Sequence, residues 1–204
     1  MTTRAIALRR RPPLFRRVFV GEEPMTTGLW GMVFLIFSEV MFFAGLFSAY
    51  VALRGNALEW APTNGAEPLK AEFRPIFFAI LLVSSSIPMQ YAAVAIRTGH
   101  RRGMQIGMVL TLIMGLGFII NTGVEWTQTG FGIGDGPYGA TFYILTGFHG
   151  AHVIGGLVFI SVLYLRSLLG HFDARRNTAV EAASMYWHFV DAVWIGLFTL
   201  IFVI

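Results

Sequence analysis

Long apolar runs alternate with short polar segments along the chain from about residue 28 to its end. Five of these runs are long enough to cross about 30 Å of hydrocarbon at about 1.5 Å per helical residue. Glycine, proline and charged residues interrupt the chain between the runs. The pattern therefore predicts five transmembrane helices, at about residues 28–53, 75–96, 104–126, 140–165 and 182–204.

The composition supports a membrane protein. Of 204 residues, 55% are hydrophobic and 13% are charged, whereas a soluble domain carries about a quarter charged residues. The sequence contains no cysteine, which excludes disulfides and thiolate metal ligands. We predict an all-α integral membrane protein with a basic N-terminal segment at 1–27 and a five-helix transmembrane domain at 28–204.

The distribution of basic residues predicts the orientation. With the N-terminus inside, twelve Lys and Arg residues lie on the inner side and three on the outer side. The outer three are Arg54, Lys70 and Arg74. Because an excess of Lys and Arg marks the cytoplasmic side, we expect a cytoplasmic N-terminus and a periplasmic C-terminus. The basic lead is interpreted as a membrane flank in a bacterial plasma (inner) membrane, and not as a secretory signal or transit peptide.

Two further features of the spans bear on helix packing. Pro88 leaves the carbonyl of Ser84 without its helical partner, and the neighbouring serines can satisfy freed backbone groups, so the second span is expected to kink. Tryptophans near the predicted span ends are typical of interfacial anchors. They are Trp30, Trp60, Trp126 and Trp187.

Five ionisable residues lie well inside the predicted spans: Glu39, His149, His152, His188 and Asp191. A charged side chain at the bilayer centre costs about 3 kcal/mol, so each is a candidate functional residue. Glu39, His152 and Asp191 differ by roughly 3 Å in expected depth, and can form one polar layer across three helices. His149 and His152 share one helix face, whereas His188 and Asp191 share a face of the fifth span and can hydrogen-bond to each other.

The surroundings of Glu39 on its helix predict a loose contact. Its face carries bulky residues such as Phe43, whereas small residues lie on another face. These small residues are Gly45, Ser48 and Ala52. Because small residues mark close helix contacts in membranes, we expect Glu39 to face lipid, a cavity or a looser contact. A carboxyl group in such surroundings favours its neutral form.

Each ionisable group has a structural and a chemical interpretation. His149 and His152 are three residues apart, which allows haem or copper ligation, but a hydrogen-bonded role in helix packing is the preferred interpretation. His188 and Asp191 form either a proton relay or a structural polar pair. Glu39 either hydrogen-bonds to a histidine of the fourth span or takes part in lipid or proton handling.

Three segments, in order along the chain, carry a distinctive pattern: LIFSEVMFFAGLFSAYV, YGATFYILTGFHGAHVIGG and SMYWHFVDAVWIGLFTLIF. They resemble subunit III of the haem-copper terminal oxidases, in a short form with five helices instead of seven. The resemblance implies a non-catalytic subunit that packs on and stabilises subunit I, supports proton uptake and binds phospholipid. It also implies that haem and copper lie in partner subunits, that no catalytic or metal centre lies in this chain, and that subunit II and a small subunit IV are further partners.

The resemblance also implies roles for individual residues. Glu39 corresponds to an intramembrane carboxyl group that reacts with hydrophobic carbodiimides. The implied polar partners in helix packing are Ser38, His149, His152, His188 and Asp191. The complex would reduce oxygen to water with electrons from cytochrome c or a quinol.

Three other functions stay open from the sequence. An accessory subunit of a nitric oxide reductase shares parts of the pattern, and enzyme activity of the purified complex would distinguish it. A small proton-coupled transporter would be expected to show internal repeats, which this sequence lacks. A haem-b carrier that uses His149 or His152 would show a Soret absorption band.

Overall fold

The computed structural model describes residues 26–69 and 72–203. Apart from residues 26 and 27, the predicted basic segment at 1–27 therefore lies outside the described residues. The described chain forms α1 (Thr27–Asn56), α2 (Phe73–Ser84), α3 (Ser86–Arg97), α4 (Arg101–Gln128), α5 (Gly136–Leu168) and α6 (Thr178–Phe198). A π-helical turn, Thr199–Val203, continues α6.

Five helical segments of the described chain are long and apolar enough to cross a membrane, with α2 and α3 together forming one segment. The all-α prediction with five spans is confirmed. The observed helices extend several residues beyond most of the predicted ends, for example to Asn56 in α1 and to Thr178 in α6. Hydropathy locates the apolar stretch, whereas backbone hydrogen bonds continue the helix into the polar flank.

The predicted kink separates α2 from α3 at Ser85, three residues before Pro88. Proline has no N–H to donate to the carbonyl four residues earlier, so the helical ladder is interrupted here. The hydroxyl of Ser84 donates to the carbonyl of Leu81 at 2.9 Å, and that of Ser85 donates to the carbonyl of Leu82 at 2.5 Å. Both hydroxyls therefore bond to carbonyls of the preceding turn, whereas the carbonyl that Pro88 frees belongs to Ser84 and is not their acceptor.

Helix α6 lies at the centre of the bundle and packs against α1, α2, α3 and α5, while α4 packs against α2, α3 and α5. Trp187 of α6 is fully buried. A Cβ atom at Gly115 of α4 or Gly156 of α5 would lie 2.8 or 2.9 Å from its ring. Its Nε1 donates to the Ser85 hydroxyl at 2.8 Å. The prediction of an interfacial anchor at Trp187 is therefore wrong, because α6 begins early enough to carry this residue into the core.

Helix α1 lies at the edge of the bundle, and Phe43 and Tyr50 are its buried residues. Gly45, Ser48 and Ala52 are exposed, and a Cβ atom at Gly45 would meet nothing within 4 Å. The face expected to form the tight seam is thus uncovered in this chain, and the bulky face packs instead. Aromatic rings of α1 fill the contact with α5 and α6, which the small-residue rule does not anticipate.

Candidate functional site

The first candidate site is a carboxyl–imidazole pair between α1 and α5. Oε2 of Glu39 lies 3.0 Å from Nε2 of His152. The side chains are 30% and 17% exposed, respectively. The carboxyl group faces α5 and has a histidine of the fourth span as its partner, so of the surroundings expected for Glu39 a looser, partly exposed helix contact is the one observed. We name these two residues the α1–α5 pair.

The hydrogen bonds of His152 determine how many protons the α1–α5 pair holds. Nδ1 of His152 lies 2.7 Å from the carbonyl oxygen of Phe148, which can only accept, so Nδ1 carries a hydrogen. The bond between Nε2 and Glu39 then needs one further proton, on either the imidazole or the carboxyl group. In both arrangements the pair is neutral overall, which suits its partly buried position.

Aromatic rings enclose the α1–α5 pair. The ring of Phe43 meets that of His152 edge-on at 5.0 Å, and the ring of Phe42 stacks on it at 6.4 Å. Phe148 packs edge-on against Phe42 at 5.0 Å. The pair therefore lies among aromatic rings at the bundle surface, where both side chains stay partly exposed.

The second candidate site joins α3 to α6, and its centre is Ser86. The Ser86 hydroxyl donates a short hydrogen bond to Oδ2 of Asp191 and lies 2.8 Å from Nδ1 of His188. Since a hydroxyl group has one hydrogen, it accepts from His188 when it donates to Asp191. On the other side of the imidazole, Nε2 lies 3.0 Å from Oε1 of Gln90 and 3.3 Å from the Ser184 hydroxyl. We name these five residues the α3–α6 cluster.

The α3–α6 cluster differs from the sequence interpretation in one contact and adds two residues. The shared face of His188 and Asp191 allows a direct bond between them, but Ser86 bridges them instead. Sequence reasoning assigned Ser86 only to backbone compensation near Pro88 and passed over Gln90. The available signal was the spacing of four residues between Ser86 and Gln90, which places both polar groups on one face of α3.

His149 and Ser38 behave differently from their expected polar roles. His149 is 1% exposed, stacks on Trp194 with ring centroids 4.9 Å apart, and meets Phe118 edge-on at 5.9 Å. Neither ring nitrogen of His149 has a hydrogen-bond partner among the described residues, so its observed role is aromatic packing. The Ser38 hydroxyl donates to the carbonyl of Leu35 at 2.7 Å, within α1 and not between helices.

The helix register brings the polar groups to one depth. His149 of α5 lies against Trp194 of α6, and Gly156 lies against Trp187, as in an antiparallel pair. This register places Asp191 level with His152, to which Glu39 is bonded directly. The expected polar layer across α1, α5 and α6 is therefore present, and Ser86 extends it to α3.

The polar layer across α1, α3, α5 and α6 consists of carboxyl, imidazole and hydroxyl groups, which form hydrogen bonds and can hold a proton. In the part of the chain that the structure describes, no three or more His, Asp or Glu side chains converge in a way that could hold a metal ion. What the arrangement supplies chemically is hydrogen bonding between helices, together with one shared proton in the α1–α5 pair.

Comparisons with known proteins give one consistent family. The family described as cytochrome c oxidase subunit III matches residues 19–204. The cytochrome c oxidase subunit 3 of Rattus norvegicus is 39% identical over 178 residues, which cover 85% of this chain and 68% of the relative. The protein of the same name from Thermostichus vulcanus is 39% identical over 184 residues, 90% of each chain. That of Homo sapiens is 37% identical over 188 residues, 88% of this chain and 70% of the relative.

Proposed function

Since the chain belongs to the cytochrome c oxidase subunit III family, we propose that it packs on subunit I, stabilises that subunit and supports proton uptake there. The chain is a non-catalytic, multi-pass membrane subunit of the respiratory oxidase, in a complex with subunits I and II. The family has no metal centre of its own. The haem and copper of the enzyme belong, in this proposal, to partner subunits.

The uncovered face of α1 supports the proposal that this helix contacts another subunit. Of the residues of α1, Phe43 and Tyr50 are buried, whereas Gly45, Ser48 and Ala52 are exposed on one side. Small residues let two helix backbones approach closely in a membrane. By contrast, the exposed face of α4 is aliphatic, as lipid contact favours. Its residues include Ile106, Leu110, Ile113, Leu116 and Ile120.

A matched pair of glycine substitutions tests this contact. A Cβ atom at Gly45 of α1 or at Gly123 of α4 would meet nothing within 4 Å in this chain. Gly45→Leu is expected to release the chain from the oxidase in detergent and to shorten sustained oxygen consumption, whereas Gly123→Leu retains both. Retention of the Gly45→Leu chain at wild-type level, with normal turnover, would contradict the proposal.

We also propose that the N-terminus is cytoplasmic and the C-terminus periplasmic, in a bacterial plasma membrane. Support comes from the ends of the bundle. Gly28 lies beside Thr178, and Gly170 lies beside Arg101, so the start of α1, the connection between α3 and α4, and the loop after α5 lie at one end. An excess of Lys and Arg marks the cytoplasmic side. The described basic residues at this end are Arg97, Arg101, Arg102, Arg166, Arg175 and Arg176. Arg54 and Arg74 lie at the other end, while Lys70 lies outside the described residues.

The absence of cysteine from the sequence makes orientation easy to test. A single cysteine at Asn64, in the loop between α1 and α2, is expected to react with a membrane-impermeant maleimide in intact cells. A single cysteine at Arg175, in the loop between α5 and α6, is expected to react only after the membrane is opened. The reverse pattern would overturn the proposed orientation.

Phospholipid binding is the last part of the proposed function. A groove of about 590 Å³ beside the α5–α6 loop is lined by Arg166, His171, Phe172, Arg175, Arg176, Thr178 and Ala179. Basic pockets on the cytoplasmic side of membrane helices suit anionic lipid headgroups.

Replacing Arg175 and Arg176 by Gln is expected to reduce the phospholipid that co-purifies with the complex, as counted by native mass spectrometry. Arg102→Gln, at the same end but outside the groove, is the control, and equal lipid loss in both variants would contradict this site.

A further inference from the structure

Three buried polar atoms at the contact between α5 and α6 have no hydrogen-bond partner among the described residues. They are Nδ1 and Nε2 of His149 and Oδ1 of Asp191. The two residues are 1% and 4% exposed, respectively. The large majority of buried side-chain polar atoms in proteins have a hydrogen-bond partner in the protein or in ordered water. Nε1 of Trp194, which stacks on His149, is a fourth such atom.

The helix register shows how far apart these groups lie. Because His149 is opposite Trp194 and Gly156 is opposite Trp187, Asp191 lies level with residue 152 of α5. His149 is three residues from that level, or about 4.5 Å along the helix axis. A direct hydrogen bond between nitrogen and oxygen spans about 2.9 Å, whereas two such bonds through one water molecule span nearly twice that length. Asp191 and Trp194 are three residues apart on one face of α6, and His149 stacks on Trp194, so the unpaired atoms lie on neighbouring residues whose bonds a small bridging molecule can complete.

The chemistry of these groups selects the bridging molecule. A neutral imidazole offers one donor and one acceptor, and an indole N–H is a donor only. A carboxyl oxygen accepts, so the site needs a small ligand that both donates and accepts. Buried waters in proteins make about three such bonds to otherwise unsatisfied groups.

We propose that His149, Asp191 and Trp194 form a binding site for one internal water molecule between α5 and α6. The water joins an imidazole nitrogen to Oδ1 of Asp191, whose other oxygen accepts from Ser86. The α3–α6 cluster thereby extends to α5, and His149 is a polar member of the layer in addition to its ring packing. This inference concerns the fold of the chain and does not depend on its proposed contact with subunit I.

A density map of the complete oxidase complex, at a resolution that shows ordered water, tests the site directly. The expected result is a peak within hydrogen-bond distance of both His149 and Oδ1 of Asp191. A map in which this space is closed by side chains, or holds no peak while other buried waters are visible, overturns the proposal. This measurement uses the unmodified protein, so it gives an answer whether or not any variant folds.

The variant His149→Phe gives a second test, because its effect on stability differs according to whether a water molecule binds the nitrogens of His149. Phenylalanine keeps a ring on Trp194 but removes both nitrogens. If the water site exists, the water loses a partner, and the helices of the chain should unfold at a temperature lower by about 2–4 °C. If the nitrogens are unpaired, their removal should leave that temperature unchanged or raise it, which also overturns the proposal.

Discussion

The α1–α5 pair and the α3–α6 cluster contain the same two chemical groups, a carboxyl group and an imidazole, in opposite settings. The pair consists of two side chains at the bundle surface, 17% and 30% exposed. The cluster has four side chains around Ser86, of which Asp191 is 4% exposed and Gln90 lies at the bundle surface. The residue types alone therefore do not determine the role, because burial and the number of hydrogen-bond partners do.

The packing around each site explains the difference. The α3–α6 cluster lies beside Trp187, which contacts α4 and α5 at glycine positions and bonds to Ser85. In the α1–α5 pair, Glu39 belongs to α1, in which Phe43 and Tyr50 are the buried residues. A polar group in the tightly packed region contributes to holding the helices together, whereas one on α1 stays accessible to the membrane and to reagents.

The largest expected effect is that of Asp191→Leu. The substitution removes the acceptor of the Ser86 hydroxyl and places an apolar branch in the cluster. A buried group left without a partner costs about 1–3 kcal/mol. We expect the complex to lose this subunit in detergent, while the absorption spectrum of the catalytic subunit stays intact.

Asp191→Asn is the matched control, because it keeps the size and one acceptor oxygen. It should retain more of the subunit than Asp191→Leu. Equal retention of both variants at wild-type level would show that the cluster does not hold the helices together.

A slightly smaller effect is expected from Gly107→Ala, which tests packing without changing any polar group. The added Cβ atom would lie 2.5 Å from the carbonyl oxygen of Pro88 and 2.9 Å from Cβ of Ala92. Overpacking of this kind costs about 1–3 kcal/mol. Thermal dissociation of the subunit should occur at a lower temperature in this variant. Gly123→Ala, where the space is open, should show no such shift, and equal shifts in both variants would contradict a packing origin of the effect.

Glu39→Gln is expected to change stability by less than about 1 kcal/mol, since partly exposed pairs contribute little. The main expected effect of this substitution is the loss of a chemical label. A hydrophobic carbodiimide should label Glu39 from the membrane, because the pair shares one proton and the neutral carboxyl group is the reactive form. Peptide mass mapping measures the label, which the Gln variant should lack.

Asp191 is the internal control for this labelling, since its burial excludes the reagent. Label found at Asp191, or only at Glu125 near the end of α4 and at the loop acids, would contradict the contrast between the accessible Glu39 and the buried Asp191.

The smallest expected effect lies outside both sites, in the exposed loop between α5 and α6. Backbone N–H groups of Arg175 and Arg176 donate to Oδ1 of Asp173 at 2.7 and 2.8 Å and lower the pKa of this carboxyl group from its ordinary value of 3.8. The ionised form therefore stabilises the folded loop above about pH 4, and this contribution is lost as the pH falls through the lowered pKa. Thermal dissociation of wild type and Asp173→Ala should differ slightly at neutral pH and converge below pH 4. A difference that grows on acidification would contradict this sign.

Much of the fold was predictable from the chain alone, and the oxidase-subunit interpretation is confirmed by the family comparison. The five spans and the common depth of Glu39, His152 and Asp191 follow from hydropathy and helical rise. The Glu39–His152 bond was one of two open interpretations, and the structure has it. Two predictions were wrong, namely the interfacial position of Trp187 and the packing face of α1. The bridging role of Ser86 was missed.

The sequence by itself determined what depends on the order of residues along one helix: which segments span, and at what relative depth the ionisable groups lie. Only the tertiary structure decided which faces meet. In a membrane, the lipid is as apolar as a leucine side chain, so hydrophobic contrast does not select the contact between two helices. The fit of Trp187 against Gly115 and Gly156, and of α1 aromatic rings against α5, sets the rotation of each helix. That rotation brings Ser86 to Asp191 and Glu39 to His152.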